Sequence, residues 1–152
     1  MPVGEPRNFM KRFSFLVEID GFVYGGFQSC SDLQAETAVV EQWEGGTVLA
    51  DKSPGRVTVP DITLERGATS DPDAYNWFLE VVNMASGNGE VTPGYKRTLD
   101  IVQLDRDGSE MERWTVVNAW PRQFTAGSWD NTADETRIET LILACDYFQK
   151  AA

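Results

Sequence analysis

The acidic side chains that could do chemistry cluster at Asp105, Asp107 and Glu110, and at Asp71 and Asp73. The first group has the spacing of the start of a calcium loop, and the second the pairing that acid–base catalysis uses. The further oxygen ligands and the distant bidentate glutamate of a calcium hand do not follow, so a solvated hairpin turn accounts for the first group. Asp71 precedes Pro72, where a carboxylate caps a helix, and Asp73 falls in the first turn, where the helix dipole favours acids, so capping accounts for the second. The pairs Gly25-Gly26 and Gly45-Gly46 lack the lysine or helix start of a phosphate cradle and read as strand bends or turns. Trp43, Trp114, Trp120 and Trp129 offer faces on which a sugar or base could stack. No basic groove or set of convergent polar groups accompanies them, and core or interface packing is expected. Cys30 and Cys145 have no nearby second cysteine and read as two buried free thiols.

The 152 residues include no histidine, which removes imidazole-based nucleophile sites, the common zinc-enzyme shells and any imidazole pH switch. The 24 acids against 13 bases give a formal charge of −11, the wrong sign for wrapping nucleic acid or lying on an anionic membrane. No apolar run approaches the roughly 20 residues that span a bilayer, and Met1 to Phe15 lacks the apolar core of a signal peptide. The expectation is one domain over residues 1–152, made and folded in the cytoplasm. It is not expected to be an enzyme, and neither metal nor cofactor is expected.

The elements that must position these residues are mainly β. Apolar residues recur with period two and are interrupted by Gly, Pro, Asn and Asp about every dozen residues, the spacing of an antiparallel sandwich or barrel. Phe13, Phe15, Val17 and Ile19 form one strand, which turns at Asp20-Gly21 into a second from Phe22 to Cys30. A third runs from Gln34 to Glu44, and a long inter-strand loop covers about residues 45–55. From Arg56 to Glu65 the apolar phase slips at Pro60-Asp61, which predicts one bulged or edge strand. Pro72 to Ser86 reads as the one helix, started by Asp71-Pro72 and stopped by Gly87. Asp73, Asn76, Glu80 and Asn83 make its narrow polar stripe, and the remaining apolar circumference asks for a second cover. Tyr95 to Asp105 and Met111 to Trp120 flank a hairpin turn with Gly108, and Pro121 to Trp129 follows. The last strand, Glu135 to Phe148, is apolar on both faces at Leu141 to Cys145, which again asks for a neighbour. The expected fold is two packed antiparallel sheets with one flanking helix at about residues 72–86.

Several spaced segments carry a family resemblance. They are Phe13 to Gly21, Gly26-Phe27-Gln28-Ser29-Cys30-Ser31-Asp32-Leu33, Trp43-Glu44-Gly45-Gly46, Ser53-Pro54-Gly55-Arg56-Val57, Ile62 to Thr69 with Trp77-Phe78 downstream, and Thr136 to Leu141. In order and spacing they resemble the contractile-phage tail tube family, which includes the inner tubes of phage-derived injection systems and is related in fold to the tube protein of type VI secretion. The resemblance implies hexameric rings that stack into a hollow tube, a conduit for DNA or protein cargo inside a contractile sheath. The implied partners are the chain itself, sheath protein and baseplate or tube-initiator proteins, with no membrane insertion by the subunit, in a phage virion or an injection particle. On that reading Gln28, Asp32, Gln34, Glu36, Glu41 and Glu44 are candidates to line the lumen, where acids would keep an anionic cargo off the wall. Gly45, Gly46, Lys52, Pro54, Gly55 and Arg56 are candidates for ring stacking, and Trp77, Val81, Met84, Leu141 and Leu143 for packing between subunits. The alternatives are a tube-initiator or baseplate adaptor ring of the same fold and a small carbohydrate-binding β module.

Overall fold

The computed structural model describes residues 14–19, 22–24, 27–68, 72–82 and 94–151. Its strands are β1 (Phe15–Ile19), β2 (Phe22–Tyr24), β3 (Phe27–Cys30), β4 (Glu36–Gln42), β5 (Asp51–Thr58), β6 (Ile62–Gly67), β7 (Arg97–Leu104), β8 (Glu110–Thr125), β9 (Ile138–Ala144) and β10 (Tyr147–Lys150), with one helix, α1 (Asp73–Val81), between β6 and β7. Pairing is antiparallel and follows the order β2-β1-β7-β8-β9-β6-β3, with β10 also on β8. The sixteen-residue β8 belongs to two layers. Its first half pairs with β7 and β10, its second half with β9.

The crossing lies at Asn118, whose φ of 56° is in the left-handed region that asparagine tolerates. Its side-chain amide donates to Asp146 Oδ2 at 2.8 Å, and the Asp146 N–H donates to the Val117 carbonyl at 3.1 Å. This fastens the bend in β8 to the break between β9 and β10. Pro121, just past the bend, is buried beside a register shift, the kind of irregular strand position where proline is tolerated.

Period-two burial packs the layers together. Val17, Ile19, Leu99 and Val116 face inward from one layer and Ile62, Leu64, Leu141 and Leu143 from the other, forming one core with Ala74 and Trp77 of α1. The helix starts with Pro72 at its N-cap, Asp73 in the first turn and an Asn76 N–H to Pro72 carbonyl bond of 2.8 Å. It ends at Val81, with Val82 extended, rather than at Ser86; two successive β-branched residues favour extended backbone there. Asp71, Asn83, Met84 and Gly87 lie outside the described residues, as do Asp20-Gly21 and Gly25-Gly26.

Four strand boundaries differ from the expectation. The segment Phe22 to Cys30 is two strands: β2 stays beside β1 while β3 crosses to β6. Residues 51–58 are strand β5, paired with β4, so the long loop narrows to residues 43–50 and the supposed strand from Arg56 to Glu65 divides between β5 and β6. Residues 121–125 continue β8. The last strand breaks at Cys145-Asp146 into β9 and β10, one in each layer.

Candidate assembly interface

Folding leaves one layer of the sandwich open at both sides. Strands β3, β6, β9 and the second half of β8 form a four-stranded ladder. Among the described residues no strand pairs with the free edge of β3, or with the edge of residues 120–125 that faces away from β9. The register shows what its outer face carries. Leu64 and Leu141 point into the core, so their neighbours Thr63, Glu65, Thr140 and Ile142 point outward, together with Ser29, Gln123 and Thr125. The Ser29 hydroxyl donates to Glu65 Oε2 at 3.2 Å across this face. These positions are legible as the polar phase of β6 and β9, yet they were not among the sequence-derived candidates.

The second incomplete surface is the hairpin of β4 and β5, an arm with no third strand among the described residues. Every residue of β4 is exposed, and β5 is exposed apart from half-buried Gly55. Val39, Val40, Val57 and Trp43 are solvent-facing, and at the tip Val48 is 89% and Leu49 83% exposed. Six large apolar side chains on one hairpin mark an interaction surface rather than scattered exposure. Local devices hold the arm in shape. Gly46 takes φ +86° in the turn, and Thr47 closes it by donating from N (3.2 Å) and Oγ1 (2.8 Å) to the Glu44 carbonyl. A bulge sits between the pairs Thr37–Val57 and Val39–Pro54, where a Cβ on Gly55 would lie 3.1 Å from the Ala38 carbonyl oxygen and 3.2 Å from Val40 Cγ2.

A third feature is an open cavity of about 650 Å³ between the start of β1, the end of β7 and β3. Phe15, Phe27, Leu33 and Ile101 supply its apolar wall, Gln28 and Gln103 its polar margin. Cys30 also lines it; burial, and secondarily the charge of Asp32, push its thiol up to about 11. Cys145 is raised in the same direction, chiefly by burial. Both cysteines are free and half-buried.

The structure scatters the other candidates. Gln28 is on β3, Asp32 and Gln34 are in the connection that leaves it, Glu36 and Glu41 are on β4, and Glu44 is in the arm's turn, so these six do not share one face. Lys52 and Arg56 are on β5, and Lys52 stands opposite Glu41 of its own arm. Trp77, Leu141 and Leu143 are buried in the chain's own core, at most 2% exposed, which corrects the expectation that they need a neighbouring subunit. Trp77 is satisfied internally as well: its Nε1 donates to the Tyr95 carbonyl at 2.7 Å, and Arg97, paired with Glu80 at 2.9 Å, lies 5.2 Å over its ring. Val81 is half-buried.

The acidic clusters are held by local partners. Asp107 Oδ1 accepts from the Ser109 hydroxyl (2.6 Å) and N–H (2.9 Å), which holds its carboxyl below the usual range, and Gly108 takes φ +87° in that turn. Glu110 joins Glu18 and Asp100 around the Arg113 guanidinium. Among the described residues no three acidic or thiol side chains are arranged to hold a metal ion. Trp114 packs edge-on against Phe148, and Trp120 against Tyr95; Trp129 is exposed, with Arg137 4.7 Å over its ring.

Residues 11–149 match the family model of the T4-like virus tail tube protein gp19. The chain belongs to that tail tube family. No curated protein sequence matches it. Among solved structures, the tube-terminating cap of the anti-feeding prophage is similar over 99% of this chain and 100% of its own, with 23% identity and a TM-score of 0.81. The sheath-tube complex of an extracellular contractile injection system named PVC is similar over 99% and 94%, with 22% identity and a TM-score of 0.81. Hcp1 from Flavobacterium johnsoniae is more distant, at 11% identity over 91% and 94% with a TM-score of 0.54. At these identities the neighbours speak to fold, and all share the β architecture of this tail tube family member.

Proposed function

We propose that this chain is a structural, non-enzymatic subunit of the hollow inner tube of a contractile tail or injection particle. The carrying observation is the four-stranded layer, neither edge of which is paired by a strand among the described residues. A chain with one free edge on each side adds to a copy of itself head to tail, and such a contact closes into a ring when its rotation allows. Six copies give roughly 24 strands, which at about 4.8 Å spacing and a tilt near 40° make a barrel on the order of 50 Å across, with roughly 40 Å open inside. The wall of that bore is the outer face of the layer, with Ser29, Thr63, Gln123, Thr125, Thr140 and the carboxylate of Glu65. The hydroxyl and amide groups there offer DNA no cation to adhere to, and the Glu65 carboxylate repels its phosphates. The arm reaches the adjoining ring, and Gly45, Gly46, Pro54 and Gly55 shape that contact. Sheath protein encloses the tube and a baseplate component starts it; the particle assembles in the bacterial cytoplasm.

Electron microscopy of the purified protein at high concentration tests this. Six-fold rings or tubes with an open bore are expected, and a monomer at every concentration, with or without a baseplate template, would overturn it. A second reading, a terminal or initiating ring of the same fold, is favoured by the equal similarity to a tube-terminating cap and by a TM-score of 0.75 to a chain of a baseplate structure. Single rings that never lengthen would select it.

A further inference from the structure

We propose that the apolar tip of one chain's arm docks in the cavity at the root of the next chain's arm. The two surfaces match in character. Residues 45–50, Gly-Gly-Thr-Val-Leu-Ala, carry no charge in a chain in which 24% of residues are charged, and none of the described residues that line the cavity is charged. Val48 and Leu49 protrude into solvent, while Phe15, Phe27, Leu33 and Ile101 line an opening of about 650 Å³, room for both side chains. Burying either apolar surface against the other removes both from water without desolvating a charge.

Reach decides which copy supplies the tip. The eight residues of β5, at about 3.3 Å each, hold the tip roughly 26 Å from the root of the arm. The root is the cavity's own rim, because Ser31 and Leu33 line the cavity and belong to the connection that leads into β4. A tip held that far away cannot fill the cavity of its own chain while β4 and β5 stay paired, so a second copy must. The contact is heterologous, with each cavity receiving one tip and each chain offering one onward. Its repeat distance, set by the arm's reach, is close to the diameter of a small domain. The inference rests on the tube reading and adds which two surfaces of successive subunits meet.

The native Cys30 thiol in the cavity wall makes the contact testable. With Cys145→Ser removing the other thiol, Leu49→Cys should give, on copper-catalysed oxidation of assembled tubes, a ladder of covalent oligomers on non-reducing gels. Adding Cys30→Ser should abolish it, and mass spectrometry should find residues 30 and 49 joined between chains. Tubes that show no such bond, or a bond within one chain, overturn the docking and leave the tube reading intact. If the unmodified chain forms neither tubes nor rings, both fail. The unmodified protein gives an independent readout, since maleimide labelling of Cys30 should slow at least about tenfold on assembly. Equal rates in tubes and in dissociated chains would overturn the docking whatever the variants do.

Discussion

The sandwich and the arm both pair antiparallel strands, and they handle water in opposite ways. In the sandwich, alternate residues of β1, β6, β7, β8 and β9 form a core in which Leu64, Leu99, Val116 and Leu143 have no exposed area. In the arm, β4 and β5 pair over seven and eight residues and bury no large apolar side chain. Stability therefore resides in the sandwich. A lone two-stranded hairpin is marginal in water, so the arm's apolar side chains gain nothing until something covers them. One sequence thus holds a region that buries its large apolar side chains and another that leaves them in water.

The comparison breaks most easily at the core. Leu143→Ala should lower unfolding free energy by about 2–5 kcal/mol, whereas Val48→Ala should change it by no more than about 0.5 kcal/mol, both read from urea denaturation. Equal losses would mean that the arm packs on its own body. Glycines sharpen the contrast at smaller size. Gly127 has φ +96°, and a Cβ there would lie 2.6 Å from the Ile138 carbonyl oxygen, so Gly127→Ala should cost about 1–3 kcal/mol. Gly46 has φ +86° but open space around it, so Gly46→Ala should strain the arm's turn without shifting the global transition. Hydrogen exchange should show β4 and β5 amides opening far more readily than those of β6 and β9 in the isolated chain, and becoming protected in assemblies. The smallest effect is in the β7–β8 turn. The hydrogen bonds from Ser109 lower the folded pKa of Asp107, so their contribution is present above the ordinary carboxylate range and lost as pH falls through the depressed value. Asp107→Ala should remove that slight pH dependence, as followed by thermal unfolding on an acid titration.

Much of the sandwich is readable in the chain. Val17 and Ile19 alternate with Glu18, and Gly108 announces the turn between β7 and β8, because period-two burial and positive φ leave local marks. The arm is legible only in part. Ser53-Pro54-Gly55 looks like a turn, and the bulge breaks the period, so β5 is hidden among residues that usually end strands. Leu141 and Leu143 look in need of a neighbour because the sequence does not reveal that β8 bends and supplies the second layer that, with α1, covers them. The candidate residues from β3 to β4 are spread over a strand, a connection and the arm for a related reason. Gln28 lies on β3, whose partner β6 is more than thirty residues away, whereas Glu36 and Glu41 lie on β4, which pairs with nearby β5, and a local period does not separate the two destinations.

The bend at Asn118 has a mechanical meaning. Because one uninterrupted strand runs through both layers, the layers cannot slide past one another by melting side-chain contacts alone; covalent backbone must stretch or the ladders on both flanks must unzip together. A subunit pushed lengthwise against resistance would then respond as a single stiff part, passing thrust from one neighbour to the next instead of absorbing it by shear.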